Sequence, residues 1–265
     1  MGTPAPLTPK SARVMAAVKL HRHTARMRSG LFLAEGPNLV EAAVAHGVVD
    51  EVFATAAAVD RYGALVRDLP VHLVTEPAAK ALSDTVTPSG LIAVCQIPDP
   101  RIDAVLVGKP TLIAVAVDLS EPGNAGTLIR IAHAMGAAAV VFAGQSVDPY
   151  NGKCLRSSAG SIFSVPVISE PDTAELLSQL RSAGLQLMAT TLDGDTSLDD
   201  ADPILTAPTA WIFGPESRGL PAEVAALADQ RVAIPMVAGA ESLNVAAAAA
   251  VCLYQSARAQ RHRLG

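Results

Sequence analysis

Short apolar runs alternate with helix-forming stretches along most of the chain. The run Thr111–Val117 is almost wholly apolar and rich in β-branched side chains. Such a run predicts a strand that is buried on both faces of a mostly parallel sheet. Shorter apolar runs lie at 140–143, 185–191, 211–213 and 232–234, each followed by a turn or a helical stretch. This alternation predicts an α/β fold for residues 109–265.

The N-terminal part repeats the alternation on a smaller scale. Residues 1–10 are rich in proline and threonine and are predicted to be a disordered tail. Residues 11–28 are predicted to form one basic helix. Short strands and helices follow it, with Asn38 as one helix cap and a mostly helical stretch over residues 56–68. These elements predict a small α/β domain over residues 11–98.

A change of composition separates the two regions. Pro98 and Pro100 stand two positions apart and predict a stiff, poorly hydrogen-bonded connection. We therefore place a linker at residues 99–108, between the small domain and the larger one.

Polar residues of the larger domain collect at its turns. Asn124 and Arg130 stand six positions apart in a strand-to-helix turn, Glu216 lies in a glycine-rich loop, and Ser242 and Asn244 precede a long helix-forming stretch. Taken singly, such residues are ordinary caps and turn formers. Helix starts beside strand ends are nevertheless where α/β proteins bind ligands, so we treat this group as a candidate site.

In combination, these stretches resemble a known family. IFGPESRGLP, followed by IPMVAGAESLNVAAAAAV and preceded by the Asn124–Arg130 pair, is similar to the three motifs of the SpoU/TrmH family of RNA 2′-O-ribose methyltransferases, in the SPOUT superfamily. RSGLFLAEGPNLVEAA and TPSGLIAVCQIP resemble the small RNA-binding domain that many members carry before the catalytic domain. The second match is looser than the first.

The resemblance implies the fold, the cofactor and the assembly. It implies that residues 109–265 form a SPOUT catalytic domain with a deep trefoil knot and a mostly parallel sheet. It also implies that S-adenosyl-L-methionine binds in the knot and that two catalytic domains form a homodimer. No metal is implied.

The resemblance also assigns roles to residues of this chain. Arg130 is expected to activate the ribose hydroxyl or to bind the adjacent phosphate, and we favour the second role because a guanidinium hardly deprotonates. The catalytic set implied is Asn124, Arg130, Glu216, Ser242 and Asn244. The cofactor-binding set implied is Thr190, Thr191, Leu192, Gly214, Ile234, Leu243 and Asn244.

Charge is distributed unevenly along the chain. The net charge is −5, yet residues 1–34 contain six Lys and Arg side chains and no acidic residue. A basic arm on an acidic body suits the neutralisation of RNA phosphates, although a solvated amphipathic helix has the same composition. The predicted RNA contacts are Arg13, Lys19, Arg22, Arg26, Arg28 and Arg156.

Several classes of protein fit the sequence poorly. No stretch approaches the ~18 apolar residues of a membrane span, and no apolar signal sequence opens the chain. Three separated cysteines without a CxxC motif indicate neither a zinc site nor a disulfide framework, and they fit a reducing cytoplasm. Neither GxGxxG nor a Walker A loop occurs, which argues against a Rossmann-type reductase.

The substrate stays open at this point. The separate N-terminal domain favours ribosomal RNA over transfer RNA, and a catalytically inactive knotted RNA-binding protein is the alternative from another class. Its mark would be a substituted Arg130 or Asn244, and both residues are present.

Overall fold

The computed structural model describes residues 5–215 and 218–264, and within them the chain divides into two compact units. The first unit comprises the described residues up to Pro98 together with Tyr150–Phe163, and the second comprises Asp99–Pro149 and the described residues from Ser164 onward. The segment Tyr150–Phe163 lies inside the range predicted as catalytic, yet it packs with the first unit.

The first unit has a four-stranded sheet flanked by short helices. Its sheet order is β1-β4-β2-β3, in which β4 pairs antiparallel with both neighbours and β2 pairs parallel with β3. The elements before residue 98 are α1 (Ala12–Val18), α2 (His23–Ser29), β1 (Leu31–Glu35), α3 (Pro37–Ala45), β2 (Val49–Ala54), α4 (Ala56–Tyr62), β3 (Val71–Leu73), α5 (Glu76–Leu82) and β4 (Leu91–Gln96).

The basic segment is two helices and not the one predicted. A 3₁₀ turn, Lys19–His21, follows α1, and Arg22 is extended at φ −92° and ψ 131° before α2 begins. Leu20 is buried in the core at this turn. The side chain of Arg26 reaches back, and its Nη1 donates to the carbonyls of Leu20 at 2.8 Å and His21 at 3.0 Å. The break is stable because these helix-end carbonyls find a donor.

Three smaller expectations also differ from the structure. Leu7, in the tail predicted to be disordered, makes a parallel bridge to Val74, and its N–H donates to the carbonyl of Leu73 at 2.7 Å. Asn38 does not cap α3, because Gly36 occupies the cap position ahead of Pro37. Helix α4, predicted to reach residue 68, ends at Tyr62.

The second unit is built on a seven-stranded parallel sheet of order β7-β6-β5-β10-β8-β11-β9. The elements from residue 99 onward are α6 (Ile102–Val107), β5 (Leu112–Val117), α7 (Pro122–Met135), β6 (Ala139–Ala143), α8 (Gly152–Ser158, in the first unit), β7 (Val167–Glu170), α9 (Thr173–Ser182), β8 (Gln186–Thr190), β9 (Thr196–Ser197), α10 (Asp202–Leu205), β10 (Thr209–Phe213), α11 (Ala222–Ala225), β11 (Gln230–Ala233) and α12 (Val245–Leu264). Helix α6 therefore occupies much of the predicted linker.

The central strands of this sheet are buried on both faces, as the continuous apolar runs predict. Every residue of β5, β6 and β10 is buried. Helix α12 packs against α7 and contacts β5 and β10. Trp211 Nε1 on β10 donates to Ser256 Oγ on α12 at 2.8 Å, and both side chains are fully buried. This bond satisfies the two buried polar groups and fixes α12 against the sheet.

No helix among the described residues is both long enough and apolar enough to cross a membrane.

Candidate active site

The candidate site lies where three neighbouring parallel strands end. Strands β10, β8 and β11 are adjacent in the sheet and run parallel. Their carboxyl ends therefore meet at one edge, and the loops that leave them carry most of the residues implied as cofactor ligands. Ligands of α/β proteins bind at such an edge.

A cavity of about 790 Å³ opens at this edge. Its size is in the range that encloses a cofactor-sized ligand. The cavity is lined by six of the seven residues expected to bind a cofactor, namely Thr190, Thr191, Leu192, Gly214, Ile234 and Leu243. Ser242 also lines it, whereas Asn244 does not.

Gly214 marks a close approach of two backbone segments. A Cβ at this position would collide with the amide nitrogen of Leu220 and would lie 2.6 Å from the carbonyl carbon of Gly219. Only glycine allows the loop after β10 to fold this tightly against the cavity. Its backbone polar groups are thereby placed on the cavity wall.

Thr191 has an unusual side chain. Its Oγ1 is buried and is the one such side-chain atom without a hydrogen-bond partner among the described residues. The neighbouring Thr190 Oγ1, by contrast, donates to the carbonyl of Ile212 at 3.1 Å. A buried polar atom without a partner is rare in folded proteins and is consistent with a ligand-binding loop.

The first and third sequence motifs meet through two asparagines. Asn244 Nδ2 donates to Asn124 Oδ1 at 3.0 Å, across 120 positions of the chain. Asn244 Oδ1 accepts from the backbone N–H groups of Ala246 at 2.9 Å and Ala247 at 3.3 Å, so this residue caps α12. Asn124 lies in the first turn of α7, which begins at Pro122. The side-chain amide of Asn244 therefore caps α12 and also binds Asn124 of the first motif.

Arg130 lies on the same helix as Asn124 but on a different face. Six helical positions place the two side chains about 120° apart around the axis and about 9 Å apart along it. Arg130 is exposed and is not among the residues that line the cavity. Ser242 lines the cavity, and Asn244, which lies between the cavity-lining residues Leu243 and Val245, is hydrogen-bonded to Asn124. Arg130 lies about 9 Å further along α7 than Asn124. Glu216, the fifth residue of the expected catalytic set, lies outside the described residues.

A charged group on the cavity wall was missed by sequence reasoning. Arg231 on β11 donates from Nε and Nη2 to the two carboxylate oxygens of Asp195, at 3.0 and 2.8 Å, and from Nη1 to Asp193 at 3.3 Å. The hydrogen bond with Asp195 raises the pKa of Arg231 above its ordinary value. Asp193 and Arg231 line the cavity and Asp195 does not. No local sequence signal joins residues 38 positions apart.

The predicted RNA contacts separate into exposed and engaged side chains within the first unit. Lys19, Arg22 and Arg28 are exposed. Arg26 is only 4% exposed, and its guanidinium satisfies the carbonyls at the helix break, which corrects its prediction as an RNA contact.

The other two predicted RNA contacts are ion-paired within the first unit. Arg13 Nη1 donates to Glu51 Oε2 at 2.6 Å and lies 2.6 Å from His72 Nε2. Arg156 on α8 is paired with Asp84. Both guanidiniums are therefore engaged by carboxylates of this unit.

Comparison with known proteins supplies the family. Residues 111–254 match the SpoU rRNA Methylase family, and residues 11–93 match the MRM3-like substrate binding domain. The chain is 32% identical to the 23S rRNA (guanosine(2553)-2′-O)-methyltransferase RlmP of Bacillus subtilis, over 92% of this chain and 96% of that protein. It is 33% identical to the 23S rRNA (uridine(2479)-2′-O)-methyltransferase of Streptomyces viridochromogenes, over 88% of this chain and 84% of that protein.

A solved structure shows the same architecture. The SpoU methyltransferase AviRb from Streptomyces viridochromogenes, in complex with the cofactor AdoMet, matches with a TM-score of 0.84 and 31% identity, covering 96% of this chain and all of that one. The family match over residues 111–254 spans the whole parallel sheet from β5 to β11 and the first half of α12. The chain belongs to the SpoU rRNA methylase family.

Proposed function

We propose that this protein transfers a methyl group from S-adenosyl-L-methionine to a ribose 2′-hydroxyl of RNA, and that ribosomal RNA is its substrate. The observation that carries the proposal is the Asn244–Asn124 hydrogen bond, which joins two motifs next to Leu243 and Val245 of the cavity wall. The relatives named above, whose names specify 2′-O-methylation of 23S rRNA, support the choice of substrate.

The cavity fits the cofactor. Its volume suits a nucleoside joined to an amino acid. Apolar side chains of Leu220, Ile234 and Leu243 would cover a flat base, while backbone groups at Gly214 would bind its polar edge. The partnerless Thr191 Oγ1 is consistent with a loop that completes its hydrogen bonds around a ligand. When bound, S-adenosyl-L-methionine supplies an electrophilic methyl group together with its own leaving group.

The protein then has to position the hydroxyl and manage its charge. Asn124 and Asn244, held to each other, orient the ribose together with Ser242 on the cavity wall. Arg130 binds the phosphate next to that ribose and stabilises the negative charge that develops on the 2′-oxygen. A guanidinium is a poor base, so the proton leaves by way of the phosphate or water. Glu216 belongs to the same proposed set.

The RNA is held by the first unit. Lys19, Arg22 and Arg28 are exposed, and no acidic residue occurs in the first 34 positions. Neutralisation of phosphates by such a face is independent of sequence and provides affinity, whereas the choice of nucleotide depends on other contacts. We also propose that the protein acts in the cytoplasm, where Cys95, Cys154 and Cys252 stay reduced as free thiols.

The knot and the homodimer are part of the same proposal. The chain leaves β11 near one edge of the sheet and returns to pack α12 on α7, beneath β5 and β10, which supports a threaded C-terminal segment. Val251 and Tyr254 on α12 are 39% and 50% exposed and stand three positions apart on one face. This exposed apolar stripe supports a dimer formed through the catalytic unit.

Methyl transfer tests the function directly. Tritiated S-adenosyl-L-methionine is incubated with unmodified ribosomal RNA and transfer RNA, and products are mapped as alkali-resistant dinucleotides. We expect label in ribosomal RNA, with a loss of about 100-fold or more in Arg130→Ala because a transition-state contact is removed. Cofactor affinity should be unchanged in that variant, because Arg130 does not line the cavity.

Arg101→Ala is the matched control. Arg101 is a highly exposed arginine in the linker region, 77% exposed in its side chain, and its loss should leave transfer intact. Label in transfer RNA alone would mean that transfer RNA, and not ribosomal RNA, is the substrate. Cofactor binding with no transfer to either RNA would overturn catalysis and favour a non-catalytic RNA-binding protein.

A further inference from the structure

The charged group on the cavity wall has a composition that matches one end of the cofactor. Four of the described cavity-lining residues carry charge, namely Asp193, Arg218, Arg231 and Glu241, and of these Asp193 and Arg231 are joined by an ion pair. A carboxylate and a guanidinium side by side present an acceptor and a donor of opposite charge. A zwitterionic amino-acid group presents the complementary pair.

We propose that Asp193 and Arg231 recognise the amino-acid end of S-adenosyl-L-methionine, with Asp193 accepting from the α-ammonium and Arg231 donating to the α-carboxylate. This inference rests on the proposed function and adds specificity-determining residues to it. Apart from Arg218 and Glu241, the rest of the described wall is dominated by apolar side chains and backbone, which suits the adenosine.

The hydrogen bonds leave both groups the capacity that this role needs. Arg231 commits Nε and one N–H of Nη2 to Asp195, and a single N–H of Nη1 to Asp193. A guanidinium has five N–H donors, so two remain for a ligand carboxylate. Asp193 is 79% exposed in its side chain and accepts over the longest of the three distances, 3.3 Å. Its carboxylate can therefore accept from an ammonium as well.

Asp195 is a positioning residue behind this pair. It binds Arg231 in the two-pronged geometry that fixes the plane of a guanidinium. It does not line the cavity, so it acts on the ligand only through Arg231. Gly194, between the two aspartates, lets the loop pass close to β11, because a Cβ there would lie 2.6 Å from the carbonyl carbon of Val232. The loop and strand are thus held in contact where the pair forms.

Thr191 provides an independent observation on the same loop. Its Oγ1 is buried without a partner, two positions before Asp193, at the cavity wall. A ligand that draws the loop inward through Asp193 would give this hydroxyl a chance to complete its hydrogen bonds. The partnerless hydroxyl and the aspartate of the charged pair therefore lie on one loop of the cavity wall.

Calorimetric binding of three compounds to the full-length protein tests the inference. S-adenosyl-L-methionine carries the whole amino-acid group, decarboxylated S-adenosylmethionine lacks only the carboxylate, and 5′-methylthioadenosine lacks the amino-acid end. We expect Arg231→Gln to lower the affinity for S-adenosyl-L-methionine by about tenfold or more, because a charged hydrogen-bond donor is lost. The affinities for the other two compounds should be unchanged. Asp193→Asn should lower the affinity for S-adenosyl-L-methionine and for decarboxylated S-adenosylmethionine, and it should leave the affinity for 5′-methylthioadenosine unchanged.

Two further variants separate recognition from misfolding. Arg231→Lys keeps the positive charge and should recover part of the affinity for S-adenosyl-L-methionine. Asp195→Asn should lower that affinity less than Arg231→Gln does. Arg258→Gln is the matched control, because it breaks another exposed arginine–aspartate pair, with Asp202, that does not line the cavity.

The outcomes distinguish a failure of this inference from a failure of the proposed function. Equal losses for all three compounds in Arg231→Gln, or no loss for any of them, would overturn the assignment of the amino-acid end. If the wild-type protein failed to bind S-adenosyl-L-methionine at all, the proposed function itself would fall.

Discussion

At the scale of single residues, Asn244 combines a structural task with a functional one. Its Oδ1 caps α12, and its Nδ2 holds Asn124. Asn244→Ala removes both, and loss of the cap should cost about 1 kcal/mol of unfolding free energy. That cost corresponds to a fall of roughly 2–4 °C in melting temperature for a domain of this size. Scanning calorimetry and methyl-transfer rates measure the two effects.

Asn244→Asp separates the two tasks. Aspartate caps helices well and its charge favours a helix N-terminus, so the melting temperature should stay near that of the wild type. It cannot donate to Asn124, so activity should still fall. Full activity in the aspartate variant would mean that the bond between the asparagines is not needed to orient the ribose.

Gly214 gives a second prediction at this scale. Gly214→Ala would force its Cβ into the backbone of Leu220 and Gly219, so the loop that walls the cavity has to move. We expect S-adenosyl-L-methionine affinity to fall by about tenfold or more, measured by calorimetry, because the backbone ligands are displaced. Gly108→Ala is the control, since Gly108 has φ −72° and its Cβ would meet only the Val105 carbonyl oxygen, at 3.3 Å. Equal affinities in the two variants would contradict this use of Gly214.

At the scale of elements, the two basic helices assign different tasks to similar arginines. Arg26→Met leaves the carbonyls of Leu20 and His21 without its donor and should lower the unfolding free energy by about 1–3 kcal/mol. Arg22→Gln and Arg28→Gln change exposed side chains, so their stability should stay within about 0.5 kcal/mol of the wild type. Urea titration followed by circular dichroism measures these changes.

RNA affinity should depend on the exposed arginines, Arg22 and Arg28, and not on Arg26. Each exposed arginine lost should weaken RNA binding and lower the slope of log affinity against log salt by about 1. Arg26→Met should leave that slope unchanged in the folded protein. If Arg26→Met instead reduced the slope and spared stability, the buried role of Arg26 would be incorrect.

The element scale also shows how far the sequence could predict this structure. The buried strands β5, β6 and β10 follow from continuous apolar runs, and the start of α12 follows from its polar cap and alanine-rich sequence. These features are local. The residues expected at the cofactor cavity were implied by the family resemblance, and six of the seven do line one cavity, although their contact with a cofactor stays a prediction.

The features that the sequence did not predict depend on distant contacts. In the sequence, Arg26 cannot be distinguished from the exposed arginines on either side of it. It is buried because the helix break at Arg22 turns its side chain inward. Arg231 and Asp193 look like ordinary surface residues in the sequence. They meet because β11 pairs with both β8 and β9, and the loop between β8 and β9, which carries Asp193, then lies beside Arg231. Residues 150–163 have no composition that would assign them to the first unit, where Phe163 stacks on Phe32.

At the scale of the whole molecule, each unit has a buried thiol that resists ionisation. Burial raises the pKa of Cys95, in the first unit, from 9.0 to about 12. Burial also raises the pKa of Cys252, in the second unit, above its ordinary value. Above pH 9 the unfolded chain therefore releases thiol protons that the folded chain keeps. Stability from this source is complete below pH 9 and is lost as pH rises toward the folded pKa.

Alkaline unfolding tests this linkage in both units. Cys95 and Cys252 should each lower the unfolding free energy by about 1.4 kcal/mol per pH unit between pH 9 and the folded pKa of that thiol. Cys95→Ala and Cys252→Ala should each flatten the decline, and the double variant should flatten it further. The comparison is of slopes, because removal of buried sulfur also lowers stability at neutral pH. Identical slopes in the wild type and the double variant would mean that the two thiols do not determine the alkaline limit of stability.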